Sequence, residues 1–153
     1  MRESKIPFHT KEYTLDEKRK KFFPFLDVLV GTKESKKKIS ALADTGCNPC
    51  LYFFKSYVEK EGLNLGKKIN KEPIPILVAD GHLINADIYK VTCEIAGIEE
   101  EIEVFVADPE KYFEQEEPEI TTVNPLHGRG ILDRYDVLFK GSERKILLFH
   151  PDR

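Results

Sequence analysis

The chain contains no tryptophan, one methionine and only three cysteines, Cys47, Cys50 and Cys93. So few cysteines, and an odd number of them, exclude the disulfide framework that reinforces small secreted domains. No apolar run approaches the roughly 20 residues needed to span a bilayer. The N-terminal stretch MRESKIPFHTKEYTLDEKRK lacks the apolar core of a secretory signal. A reducing, cytoplasmic location is therefore expected, with no membrane partner. An excess of positive charge is missing too: 24 Lys and Arg stand against 27 Asp and Glu, a net charge of −3. Phosphate binding leaves a basic footprint, so nucleic acid is not expected as a partner. The one basic run, KESKKK at residues 33–38, is short, interrupted by Glu34, and reads as a solvated hairpin tip. The four histidines, His9, His82, His127 and His150, show no metal-ligand spacing, so no metal or other cofactor is expected.

What is present suffices for one globular domain. The chain has 153 residues, 41% of them hydrophobic and 33% charged, enough to bury a real core. Residues 1–20 read as a polar, weakly tied N-terminal arm and residues 21–153 as the domain. Residues 22–30 (FFPFLDVLV) are β-branched and aromatic, with Pro24 near the start where an edge strand tolerates it. Residues 31–37 turn the chain, and residues 38–43 return as a strand that ends at Asp44. Asn48-Pro49 has the form of a helix start. Leu51, Phe54 and Val58 then recur at helical spacing up to Gly62, so a short amphipathic helix is expected there. Residues 73–79 and 83–91 flank Asp80-Gly81, the strongest hairpin signal in the chain. Residues 90–95 and 102–106 flank Gly97 in a second hairpin. The acidic, proline-containing stretch from residue 108 to 123 reads as an exposed insertion. A short helical stretch at residues 130–134 and a last hairpin around Gly141 complete the pattern. The charge cluster at residues 99–103 reads as a solvated strand face.

The chemistry concentrates at Ala41-Leu42-Ala43-Asp44-Thr45-Gly46. An apolar strand delivering a carboxylate into a Thr-Gly turn holds an acid still, with backbone N–H groups aimed at it. As a purely structural element, the same string is an Asx-type turn closing a strand. Cys47-Asn48-Pro49-Cys50 offers a second chemistry. A Cys-x-Pro-Cys opening a helix after a strand is the thioredoxin arrangement, in which the helix N-terminus lowers the thiol pKa. The hairpin-rich surroundings lack the βαβ crossover of that fold, and small buried hydrophobes are the plainer account of these cysteines.

Three stretches, in order, resemble the retroviral-type aspartic proteases, the retropepsin-like family, and more closely its cellular single-lobe members. Leu42-Ala43-Asp44-Thr45-Gly46 matches the catalytic apolar-apolar-Asp-Thr-Gly. Val78-Ala79-Asp80-Gly81 matches the flap, a hairpin that closes over substrate. Leu126-His127-Gly128-Arg129, followed by Ile131-Leu132-Asp133-Arg134, matches the second loop and its short helix. The resemblance covers nearly the whole chain from Phe22 to Phe149. It departs from the family at Cys47, where Ala or Ser is usual, at His127 and Gly130, and at Asn48, where retroviral members carry the acid that pairs with the Arg.

The resemblance implies a mostly β fold: a single-lobe closed acid-protease barrel with two short helices. It also implies an aspartic endopeptidase. Two facing carboxylates cannot both ionise, so the pair shares one proton. One carboxylate then takes a proton from water while the other polarises the scissile carbonyl. With a single Asp-Thr-Gly, the second acid must come from another copy, giving a homodimer with Asp44 on its twofold axis. Asp44, Thr45 and Gly46 are the implied catalytic residues. Ala79, Asp80, Gly81, His82, Gly128 and Arg129 are the implied contacts to an extended peptide or protein substrate. The other readings are a non-catalytic relative that binds peptides or only dimerises, the Cys-x-Pro-Cys thiol oxidoreductase, and a plain structural domain.

Overall fold

The N-terminal stretch is tied into a sheet rather than left as an arm. In a computed structural model that describes residues 6–47, 49–77, 83–108 and 126–151 (backbone only at Leu77, Leu126, His127 and Arg129), β1 (His9–Glu12) lies antiparallel along β12 (Lys145–Phe149). The Phe8 N–H donates to the Leu148 carbonyl at 2.9 Å, and the Phe8 ring stacks on His150 at 4.3 Å. The expectation of a weakly tied arm is corrected from Phe8 onward. Its anchor is the far end of the chain, which no local pattern announces. β2 (Thr14–Asp16) and β3 (Lys21–Phe23) form a separate hairpin.

Pro24, which has no N–H to give a ladder, separates β3 from β4 (Phe25–Gly31). β4 alternates cleanly: Leu26, Val28 and Val30 are buried, and the residues between them are half-exposed. It pairs antiparallel with β5 (Lys36–Ala43) across a turn closed by reciprocal Thr32 and Ser35 backbone hydrogen bonds. The basic run lies on this turn and the start of β5, and its charges are matched. Lys36 meets Glu99 at 2.7 Å, Lys37 meets Glu61 at 3.7 Å, and Lys38 meets Asp27 at 3.7 Å. Its hydrogen bond to Glu99 raises the Lys36 pKa and lowers that of Glu99.

The expected helix from Asn48 begins later. Leu51–Phe54 is strand β6, and the helix α1 is Lys55–Glu61. β6 lies in the sheet between β10 (Leu126–His127) and β9 (Ile98–Ala107), and Leu51, Tyr52 and Phe53 are all buried because Leu51 and Phe53 pack into the main core while Tyr52 packs into a second cluster on the other face. Burial of three consecutive residues is the signature of a strand covered on both faces. The end of the helix falls where expected: Gly62 adopts φ 62°, ψ 39°, the left-handed C-terminal cap open to glycine at little cost.

β7 (Ile74–Leu77) and β8 (Leu83–Ile95) are the arms of the expected Asp80-Gly81 hairpin, in register from Leu77 opposite Leu83 to Ile74 opposite Ala86. The tip itself lies outside the described residues. β8 and β9 form the second hairpin around Ala96-Gly97, both at positive φ as a two-residue hairpin turn demands. The acidic insertion from residue 109 onward also lies outside the described residues. The strand order of the main sheet is β4-β5-β10-β6-β9-β8-β7, and Leu29, Val30 and Gly31 of β4 also face Glu94, Cys93 and Thr92 of β8. The pairings therefore run from β4 round to β8 and return to β4. The short helix α2 (Arg129–Leu132) leads into the last hairpin, β11 (Asp136–Lys140) with β12. The second sheet has the order β1-β12-β11.

The main core gathers Leu26, Val28, Ile39, Phe53, Val91, Val104, Ile131 and Ile146 between these sheets. β8 serves a second, smaller cluster with its other end: Ile84 and Ala86 pack with Tyr52 and Ala107. Among the described residues no helix is long and apolar enough to cross a membrane. Phe53, with no exposed surface, fills the middle of the main core. Phe53→Ala is expected to lower unfolding free energy by about 3–5 kcal/mol, read by urea denaturation.

Candidate active site

β5 carries Ile39, Ala41 and Ala43 into the core and ends where the Ala43 N–H donates to the Pro24 carbonyl at 2.9 Å. The next residue is Asp44, half-buried, and the chain turns at once through the exposed Thr45 and Gly46. The Gly46 N–H donates to Asp44 Oδ1 at 2.8 Å, and the Cys47 N–H donates to the Asp44 carbonyl at 3.2 Å. The side chain and backbone of Asp44 thus both close the turn, which fixes one carboxylate oxygen against glycine backbone. The three implied catalytic residues share this one turn at the protein surface.

Gly128 is brought to the same place from 84 residues beyond Asp44. β10 inserts between β5 and β6, parallel to the first (Leu126 opposite Leu42, His127 opposite Ala43) and antiparallel to the second. The Gly128 N–H then donates to the Cys50 carbonyl at 3.0 Å, while its own carbonyl accepts from Ile131 and Leu132 to start α2. A Cβ on Gly128 would lie 1.9 Å from the Pro49 carbonyl oxygen and 2.7 Å from that of Cys47. Only a residue without a side chain fits there. Arg129 follows as the first residue of α2, its side chain outside the described residues. Ala79, Asp80, Gly81 and His82 lie outside them as well.

One feature of the site gave no signal in the motifs. Cys47 packs with Ile76, Phe54 and Phe105 against the Tyr52, Ile84, Ala86 and Ala107 cluster. An apolar floor therefore runs from the acid turn to the base of the β7–β8 hairpin. The run Leu51-Tyr52-Phe53-Phe54, read as a strand, would have pointed to it.

The surroundings weigh against the thiol chemistry. Cys47 lies in the turn after β5 and Cys50 leads into a strand, and the helix that follows them starts only at Lys55, so neither cysteine sits in its first turn. Burial, with the Asp44 carboxylate adding to it, pushes the Cys47 thiol up to about 12. Burial likewise raises Cys50. Both are free thiols, and burial disfavours the thiolate of each. Among the described residues no group of three His, Cys, Asp or Glu is placed to hold a metal ion.

Comparison with solved structures places the fold. The chain superposes on the EIAV protease complexed with the inhibitor HBY-793 with a TM-score of 0.52 at 19% identity, over 72% of this chain and 86% of that one. The retroviral protease-like domain of Ddi1 from Leishmania major gives a TM-score of 0.48 at 14% identity, over 84% and 95%. No protein-family model matches the chain, and no curated protein matches its sequence. The fold is retropepsin-like, mostly β with two short helices.

Two outcomes follow from this geometry. Gly128→Ala forces backbone apart at the acid turn and is expected to cost about 3 kcal/mol or more, read as a lowered denaturation midpoint. In the folded chain at pH 8, iodoacetamide should modify Cys47 at least roughly tenfold more slowly than in urea, because the raised pKa suppresses the thiolate. Peptide mass spectrometry of the alkylated chain reads that ratio.

Proposed function

We propose that the protein is an aspartic endopeptidase acting as a homodimer, with one Asp44 from each copy forming the catalytic pair. The observation that carries this reading is the acid turn. Asp44 stands at the end of a core strand, with Oδ1 held by the Gly46 N–H and the turn buttressed by Gly128. The retropepsin-like fold supports it, since β7 and β8 stand as a hairpin whose base shares an apolar floor with that turn.

The chemistry follows from the arrangement. Two Asp44 carboxylates brought face to face share one proton, because two negative charges at hydrogen-bonding distance are costly. The ionised carboxylate draws a proton from water, and that water attacks the peptide carbonyl. The protonated carboxyl polarises the carbonyl oxygen and later supplies the proton for the leaving amine. The fixed Oδ1 holds the acid in place as the proton moves. A peptide lies extended between the hairpin and the turn, held by backbone hydrogen bonds, with apolar side chains resting on the partly exposed Phe54 and Ile76. A reducing cytoplasmic compartment suits the three free thiols.

The test is cleavage of a peptide mixture from about pH 4 to 7, bracketing a carboxylate pair, comparing wild type with Asp44→Asn. New termini are expected with wild type alone, with loss of at least ~1,000-fold in the variant, which removes the shared-proton chemistry altogether. Thermal melting of Asp44→Asn should match wild type. Cleavage by purified Asp44→Asn refutes the mechanism. A peptide-binding dimer that never cuts would establish the non-catalytic reading in its place.

A further inference from the structure

Among the described residues of the apolar floor, Tyr52 alone carries a hydroxyl, and only 8% of the residue is exposed. Strand alternation puts it there: Leu51 and Phe53 enter the main core, so Tyr52 falls to the opposite face. Its ring meets Phe54 edge-on with centroids 5.8 Å apart, so packing accounts for the ring. Packing does not account for the oxygen. Among the described residues the Tyr52 hydroxyl makes no hydrogen bond. A buried phenol ordinarily finds a partner, and one left without it has given up water for nothing.

The hydroxyl belongs to the neighbourhood of the acid turn. Cys47, in the turn that Asp44 opens, packs on the Tyr52 cluster. Burial raises the Tyr52 pKa, and the Cys47 sulfur adds to the rise. The cluster is not sealed, because Cys47, Phe54, Ile76 and Phe105 are only partly buried. It therefore reaches the surface between the acid turn and the β7–β8 hairpin, along the path proposed above for the peptide.

The chemistry that would satisfy this oxygen is narrow. An apolar side chain leaves it unpaired. A carboxylate could accept its proton, but would enter an apolar cluster beside the Asp44 carboxylate, where burial and like charge both oppose it. A lysine or arginine would have to bury its charge. A neutral amide meets neither penalty, and its carbonyl oxygen accepts from a phenol directly.

We propose that the Tyr52 hydroxyl is a specificity-determining group, donating a hydrogen bond to the side-chain carbonyl of a Gln or Asn in the bound peptide, close to the scissile bond. This inference rests on the reading of the Asp44 turn as a peptide-cleaving site. A wholly apolar floor sorts side chains by size, with modest discrimination. A floor holding an unpaired polar group also rejects whatever cannot pair with it.

The test uses labelled peptides of one apolar sequence that carry Gln, Leu or Glu at each position in turn. Cleavage by wild type and by Tyr52→Phe is compared as kcat/KM. Fluorescence anisotropy with Asp44→Asn and with Asp44→Asn/Tyr52→Phe reads the same contact without the chemistry. At one position Gln should be favoured over Leu by about tenfold, and over Glu by at least as much. Tyr52→Phe should bring the Gln-to-Leu ratio to about one, and should melt no lower than wild type, since it removes an unpaired group. A clear fall in its melting temperature would reveal a partner within the chain and overturn the inference. A wild type without the Gln preference, or a preference that survives in Tyr52→Phe, would overturn it and leave the protease reading standing. Peptides bound with the Tyr52-dependent preference but never cut would uphold the contact and overturn the protease reading. Peptides neither bound nor cut would overturn both.

Discussion

Gly128 presses its bare Cα against the loop that follows the acid turn, so closely that the carbonyl oxygens of Pro49 and Cys47 occupy the space of a side chain. The contact exists because β10 is threaded between β5 and β6, two strands that are neighbours in sequence and would otherwise pair with each other. Separating them keeps the chain after Asp44 from closing as a tight hairpin turn. That loop would be loose if nothing filled it. The Gly128 N–H bond to Cys50 and the start of α2 fill it with backbone. An acid needs a stiff support to act, since misplacement of a reacting group by an ångström is expensive. Here the stiffness comes from main chain packed on main chain, which has no rotamers to lose.

The parts of this arrangement visible in the sequence are those fixed locally. Asp80-Gly81 and Gly97 mark hairpins because the turn residues and the flanking strand-forming runs lie within a few positions of each other, and β7, β8 and β9 flank those signals. The Asp-Thr-Gly turn is local in the same sense, since its defining hydrogen bond joins residues two apart. β6 was not legible. Leu51, Phe54 and Val58 satisfy a helical period as well as a strand, and the choice is made by β9 and β10, more than 45 residues away in the chain. β1 was hidden for the same reason, its partner being the last strand. The apolar floor beneath the site depends on β6, so it was hidden with it.

The two chemistries suggested by residues 44–50 compete for one electrostatic environment, and the geometry favours the acid. A thiolate needs positive potential, such as the first turn of a helix. The turn offers Cys47 an apolar cluster on one side and a carboxylate on the other, and both disfavour negative charge on sulfur. Delaying the helix until Lys55 also removes from both cysteines the first helical turn that the redox reading requires. The same substitution of strand for helix that buries Leu51 and Phe53 therefore weighs against that reading.

The three-stranded sheet is tied to the acid turn through backbone. β12 is paired on one side by β1 and on the other by β11, and among the described residues the outer sides of β1 and β11 carry no further strand. Of these only β11 is coupled to the site. Ile131 and Leu132 of α2 are buried in the main core, and α2 begins on the carbonyl of the very glycine that supports the acid loop. A shift of β11 would have to move α2, and a shift of α2 would drive Gly128 into Pro49.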